Sequence, residues 1–244
     1  MTPEPQVIWH DLECGSYDED LPLWRAIAAR HAGPVLDVGA GTGRVTLDLA
    51  RAGHEVIALD RDRMLLDALK ERARLAQLPR VRTVCADACA FTLSEPVELC
   101  IVPMQTIQLL EGPAARGRFL ACARAAVRPG GMLALAIAET LEPFDVASGS
   151  VEPLPDVGEF DGIVFASRPL AVRPQGDGFV LERRRETVTP AGELSADTDL
   201  VRLQALDAER LEAEGRRAGF TPAPREQVAT TADYVGSTVV MLGG

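Results

Sequence analysis

The sequence predicts an α/β fold: a doubly wound, seven-stranded, mostly parallel sheet with an antiparallel β insertion after the fifth strand. Three observations carry this. Short apolar runs of strand length alternate with helical stretches between residues 35 and 138. The first such run opens Val35-Leu36-Asp37-Val38-Gly39-Ala40-Gly41-Thr42-Gly43, with glycine at every second position from Gly39. Residues from Glu139 to about Leu206 are too long for a plain connection and hold strand-like pieces separated by turn residues. A chain of 244 residues suits one large α/β domain with such an insertion.

The glycine-rich stretch organises the rest. Its apolar run reads as a buried parallel strand and its glycines as a tight turn into a helix. Glycine accepts positive φ and lets a ligand approach the main chain closely. The helix that follows presents free N–H groups at its start. A dinucleotide turn would be spaced G-x-G-x-x-G, with a pyrophosphate on that helix end. Here the third glycine, Gly43, comes one residue early, and Asp37 stands two residues before Gly39. A carboxylate aimed into the turn repels a pyrophosphate and attracts an ammonium. Asp60 ends the next apolar run, Glu55–Leu59, where a carboxylate can accept from both hydroxyls of a ribose. S-adenosylmethionine (SAM) has no phosphate and carries an amino-acid ammonium.

With turn, Asp37 and Asp60 in one strand–helix–strand frame, the chain resembles the class I SAM-dependent methyltransferases, of the small-molecule type. The resemblance covers residues 9–140 well and the last forty residues more loosely. It implies a Rossmann-like methyltransferase fold, SAM as cofactor and S-adenosylhomocysteine (SAH) as product. It implies cofactor contacts from Asp37, Gly39, Ala40, Gly41 and Asp60.

Composition narrows the partners. The net charge is −11 and Lys70 is the one lysine, so phosphate backbones are repelled and no nucleic-acid substrate is expected. The apolar fraction of 47% is ordinary for a globular protein, and no apolar run is long enough to span a membrane. Met1-Thr2-Pro3-Glu4-Pro5 lacks the basic and apolar regions of a signal peptide, which gives a cytoplasmic expectation. The five cysteines form no C-x-x-C, and the three histidines show no metal-ligand spacing, so no metal is expected. Cys85, Cys100 and Cys122 lie in apolar runs and read as core residues, while Cys14 could lie exposed near the site. Arg183-Arg184-Arg185 reads as solvated charge at a strand edge.

In order along the chain, residues 1–33 read as a lid segment and helix. Residues 1–8 look like a loose leader, and Trp9 to Tyr17 a polar, aromatic segment. Asp20 is a candidate N-cap, Pro22 fits the first helical turn, and Gly33-Pro34 stops the helix. The resemblance implies that this segment folds over the cofactor, with Tyr17 bonding the methionine carboxylate or the acceptor and Trp9 and His10 nearby. The cofactor core is residues 34–140. Val45, Leu47 and Leu49 mark its first helix, and Asp62 can cap the next, with Leu69 and Ala73 at helical spacing. Arg61 and Met64 follow Asp60, and the resemblance places them against the adenine. Val81–Cys85 is the third strand, and the resemblance makes the following Asp87-Ala88 the reader of the adenine amino group. Val97–Val102 is the fourth strand; ligands collect beyond the carboxyl ends of such strands, which poises Pro103, Met104, Gln105, Thr106 and Gln108. Related enzymes often show a histidine in this stretch, and Gln108-Leu109-Leu110 departs from that. A helix from Pro113 to Val127, a turn at Arg128-Pro129-Gly130-Gly131 and a fifth strand, Met132–Ala138, complete the parallel part.

Residues 141–206 form the insertion, with strands at Ile163–Ser167, Phe179–Thr187 and Thr198–Leu203 and an acidic, mobile loop at Ser150–Asp161. Its position suggests a cover for the acceptor or a homodimer interface. Residues 207–244 give a last helix capped by Asp207 and two antiparallel strands.

The expected reaction is in-line methyl transfer from SAM to N or O of a small molecule. No catalytic residue is fixed by the sequence; His10, Gln105, Gln108 and Glu139 are the acceptor-pocket candidates, and His10, Asp11 or Glu139 could act as a base. The competing readings are an NAD-dependent dehydrogenase and a SAM-binding protein without catalysis.

Overall fold

A computed structural model describes residues 4–231 and 234–244. The chain begins with α1 (Pro5–Cys14), α2 (Leu21–Ala28), β1 (Val35–Val38), α3 (Arg44–Arg51), β2 (Val56–Asp60) and α4 (Arg63–Leu75). It continues with β3 (Val81–Cys85), β4 (Val97–Val102), α5 (Gly112–Ala126) and β5 (Val127–Ile137). Then come β6 (Phe144–Asp145), β7 (Asp156–Phe160), β8 (Ile163–Gln175), β9 (Gly178–Val188) and β10 (Leu194–Gln204). It ends with α6 (Ala208–Arg217), β11 (Thr221–Val228) and β12 (Ser237–Gly243). Contacts divide it into two units: Asp18–Glu139 with Leu206–Gly244, the core unit, and the residues up to Tyr17 with Thr140–Ala205, the β unit. The first residues thus group with the insertion, whereas the sequence reading set 1–33 apart.

The core unit holds a seven-stranded sheet in the order β11-β12-β5-β4-β1-β2-β3. β12 runs antiparallel to both β5 and β11, and the other six strands share one direction. From β1 the chain steps outward to β2 and β3, then returns to β4 on the other side of β1. The turn after β1 is therefore the topological switch point, where a crevice opens beyond the carboxyl ends of the strands. Both faces are covered, so the strands are apolar on both sides. Leu36, Val38, Leu133 and Leu135 meet Phe119, Leu120 and Leu211 on one face. On the other, Val35, Leu99, Ile101 and Ala134 meet Trp24, Ile27, Val45 and Leu49.

Some local expectations need correction. Asp20 makes no cap to α2; its backbone is already helical, at φ −89 and ψ −15. Its buried carboxylate instead accepts from Trp24 Nε1 at 2.8 Å and Arg44 Nη2 at 2.8 Å, tying α2 to α3. The same helix ends at Ala28, ahead of the Gly33-Pro34 stop. Arg128-Pro129-Gly130-Gly131 lies within β5 as a break in pairing, from Val97↔Val127 to Leu99↔Met132. Gly130 N donates to Gly244 O at 3.0 Å there, so the chain end closes the irregularity. Cys85 is exposed, because β3 is the outer strand of the sheet.

The β unit is a five-stranded antiparallel sheet, β10-β9-β8-β6 with β7 also paired to β8. Five strands stand where the sequence suggested three. The segment expected to be a mobile loop ends in β7, which pairs from Asp156↔Ser167 to Phe160↔Ile163. The two-residue turn between them, Asp161-Gly162, has φ +52 and +78, the paired positive φ that matches strand twist. The expected loose leader and aromatic segment are helical from Pro5 to Cys14, as α1; residues 1–3 of the leader lie outside the described residues. Trp9 meets the edge of Phe165 at 5.1 Å. Glu13 accepts from Arg185 Nε, Arg185 Nη2 and Ser167 Oγ, each at 2.7 Å. The arginine run is thus not an edge: β9 lies inside the sheet, and Arg185 also sits 5.5 Å over the Trp9 ring.

One buried ion pair joins α5 to α6. Arg116, fully buried, donates to Glu214 through Nε at 2.8 Å and Nη2 at 2.7 Å. Removing one member would strand the other charge. Glu214→Leu is expected to cost about 3–5 kcal/mol in urea unfolding, and adding Arg116→Met should recover most of it. A single variant within about 1 kcal/mol of wild type would contradict this reading.

Candidate functional site

The site is assembled at the switch point of the core unit. Beyond β1 the chain turns through Gly39, Gly41 and Gly43 at φ +74, +53 and +94. Gly39 N and Ala40 N both donate to Leu59 O, at 2.8 and 3.1 Å, which fixes the turn to the end of β2. The glycines are also needed for space. A Cβ on Gly43 would come 2.1 Å from Leu69 Cδ1, and one on Gly39 would come 2.5 Å from Thr106 Cγ2.

Asp37 lies in β1, paired with Ala58 and Ile101, and is 1% exposed. Thr46 Oγ1, from the first turn of α3, donates to Asp37 Oδ2 at 2.6 Å. Asp37 Oδ1 is buried and has no partner among the described residues. Burial pushes the Asp37 carboxyl up to about 6, against the Thr46 bond and the Arg44 charge. Thr46 was missed in the sequence reading. Its signal was a hydroxyl in the first turn of the helix that the glycines open.

Asp60 closes over the turn from the end of β2. Its Oδ2 accepts from Gly41 N at 2.8 Å and its Oδ1 from Asp62 N at 2.9 Å. Asp62 caps α4, accepting from Met64 N at 2.9 Å and Leu65 N at 3.3 Å. Arg61 is exposed, and Met64 is 42% exposed rather than part of the core. Past β3, exposed Asp87 accepts from Cys89 N at 2.7 Å, and Ala88 is half-buried.

At the end of β4, Pro103 is buried and Met104 takes φ +53. That left-handed conformation costs a residue with a side chain about 1–3 kcal/mol, and such residues gather at functional sites. A 3-10 turn, Thr106–Leu109, follows. Gln105 is half-buried before it. Gln108 is 1% exposed, and its amide serves Ala138 twice: Nε2 donates to Ala138 O at 3.1 Å, and Oε1 accepts from Ala138 N at 2.8 Å. It thus extends β5 as a surrogate strand residue. Glu139 Oε1 accepts from Ala208 N at 2.9 Å and Oε2 from Thr238 Oγ1 at 2.7 Å. These two acceptor-pocket candidates therefore hold the frame together, with both ends of each side chain engaged.

The structure brings Asp37, Gly39, Ala40, Gly41, Asp60, Arg61, Met64, Asp87, Ala88, Pro103 and Met104 to the carboxyl ends of β1 to β4. Tyr17, His10 and Asp11 belong to the β unit. The site fits a ligand with a cationic head: the Asp37 Oδ1 oxygen lacks a donor, and Gly39, two residues on, is the exposed residue of the turn. Among the described residues no His, Cys, Asp and Glu cluster could hold a metal, and no helix is long and apolar enough to cross a membrane.

Residues 35–131 match the family described as a methyltransferase domain. A stretch of 60 residues is 43% identical to a protein-L-isoaspartate O-methyltransferase of Aromatoleum aromaticum, spanning 25% of this chain and 28% of that protein. A SAM-bound amino pentose methyltransferase from Micromonospora echinaspora shares the fold at TM-score 0.70 and 21% identity, over 98% of this chain and 97% of the other. A sugar N-methyltransferase from Streptoalloteichus sp. does so at 0.71 and 18%, over 98% and 93%. The glycopeptide N-methyltransferase MtfA, complexed with SAH, is 25% identical at TM-score 0.61, over 98% and 97%.

The lone carboxylate makes a pH prediction. A carboxyl with a folded pKa of about 6 and an ordinary value of 3.8 binds its proton more tightly when folded. Its ionisation is therefore a cost that is absent below about pH 4, grows through about pH 6 and is full above, at roughly 3 kcal/mol. Asp37→Asn is expected to match wild type near pH 4 and exceed it in urea stability above pH 6 by up to that amount. A difference that stays flat across this range would contradict the assignment.

Proposed function

We propose that this chain transfers the methyl group of SAM to the nitrogen of a small amine, releasing SAH. The single observation that carries the reading is the buried Asp37 oxygen without a partner, set in a glycine turn that Asp60 overhangs. The ammonium of the methionine part supplies the missing donor to Asp37. The ribose hydroxyls meet Asp60, whose carboxylate has lone pairs left after its two backbone bonds. Gly39, Ala40 and Gly41 let the ligand lie against main chain. Arg61, Met64, Asp87 and Ala88 flank the adenine, and Pro103 and Met104 the sulfonium end.

When bound, SAM supplies an activated methyl on a positive sulfur, so the protein has no need to activate the donor. What the residues contribute is alignment of nucleophile, methyl and sulfur in line. Orientation of this kind can lower a barrier by roughly 7–11 kcal/mol. In the core unit, Gln108 is an amide and Glu139 is committed to Ala208 and Thr238, so neither is a free base. That favours an acceptor that enters as a neutral amine over a hydroxyl, which needs its proton removed. The solved structures described as sugar and glycopeptide N-methyltransferases support the same class.

Asp60→Ala is expected to weaken SAM binding by about 1.5–3 kcal/mol in calorimetry, with folding intact. A folded variant of unchanged affinity would overturn the ribose assignment. Mass spectrometry of incubations with SAM, amines and phenols tests the acceptor. Methylated amines are expected, and methylation confined to the phenols would overturn the amine reading.

A further inference from the structure

The β unit ends its sheet in a long open edge. β10 pairs with β9 from Leu194↔Val188 to Gln204↔Gly178 without a register shift. It is the last strand in the order β10-β9-β8-β6, so no strand among the described residues takes its other side. Two bonds bracket this ladder: Thr189 N donates to Glu193 O at 3.0 Å, and Ala205 N to Asp177 O at 2.9 Å. In an antiparallel ladder alternate residues turn both backbone groups to the partner strand. Odd-numbered residues of β10 therefore bond to β9. Leu194, Ala196, Thr198, Leu200, Arg202 and Gln204 turn their N–H and C=O outward, and of these the Thr198 N–H is held by Asp197 Oδ1 at 2.8 Å. Residues 194–198 and 200 are exposed, and Leu200 is 55% exposed. The strand has no lysine, proline, glycine or bulge; its charges are Asp197, which caps Thr198 N, Asp199, which pairs with Arg185, and Arg202.

We propose that this edge pairs with the same edge of a second copy, antiparallel, about a two-fold axis at Leu200. The occupant follows from the pattern. A two-fold axis perpendicular to the sheet sets even-numbered residues of one strand against even-numbered residues of the other, so outward groups meet outward groups. Such a contact is self-complementary and closes as a dimer. With the axis at Leu200, that leucine covers itself, and Thr198 faces Arg202. Moving the axis one residue back would set Asp199 against Asp199, and like charges directly opposite are unfavourable. With the axis at Leu200, each Asp199 keeps its own partner, Arg185, at 3.1 Å on the α1 face. The five-stranded sheet then continues unbroken from one copy into the next.

Sedimentation of the full-length protein tests this without reference to its reaction. Wild type is expected at twice the chain mass of 26.1 kDa. Leu200→Glu opposes two carboxylates at the axis, and Ala196→Pro removes an outward N–H that β9 does not use. Both are expected at 26.1 kDa at the same concentration, with unchanged circular dichroism. Hydrogen exchange on wild type gives a readout independent of any variant. The amides of residues 196, 200 and 202 should exchange slowly in the dimer and fast on dilution. A wild-type mass of 26.1 kDa throughout overturns the proposal. So does a dimer whose even-numbered amides stay fast, or one that survives in both folded variants, either of which puts the contact or a different occupant elsewhere.

Discussion

A half-satisfied carboxylate in the middle of a parallel sheet is the constraint around which the core unit is built. Asp37 sits between Ala58 and Ile101 with one oxygen bonded to Thr46 and the other bonded to nothing among the described residues. A buried charge of this kind is expensive, and proteins keep such groups where a ligand completes them. The surroundings withhold help. Arg44, whose charge favours ionisation of Asp37, is held by Asp20 in a separate pair. The Asp60 charge works against ionisation as well. The arrangement is unfavourable for the charged form as it stands, and on the proposed reading the ligand's ammonium offsets that cost.

Other features of the core unit serve the same end. Gln108 and Glu139 lock the ends of β4, β5, β12 and α6 to one another through backbone and side-chain bonds. The strained Met104 is held between buried Pro103 and this locked frame. Such a frame leaves the groups at the strand ends little freedom, which suits a reaction governed by alignment.

The parts of this structure legible in the sequence are those with local causes. β1, β2 and the glycine turn declare themselves because strand, turn and helix are consecutive, and glycine is required by φ. The Asp62 and Asp207 caps are readable for the same reason: donor and acceptor lie within three residues. The failures depend mostly on distant partners, β7 being the exception, since it pairs with the next strand across Asp161-Gly162. α1 has no side-chain cap, and it gains its partners from Phe165, Ser167 and Arg185. β7 is acidic and looked like a loop, but β8 gives it a ladder. The arginine run was misjudged because alternation along a strand does not reveal whether that strand is at an edge or inside. Gln108 and Glu139 carry chemistry that suits an active site, and only long-range bonds reveal that both are spoken for.

The central claim is that Asp37 waits for a cationic group. Calorimetry of SAH binding in buffers of different ionisation enthalpy tests it most directly. Pairing with the ligand ammonium must lower a carboxyl that now titrates at about 6, so binding should release part of a proton near pH 6, more near pH 5 and none near pH 8. In Asp37→Asn the release should vanish. Binding by the wild-type protein without proton release between pH 5 and 6 would contradict the account.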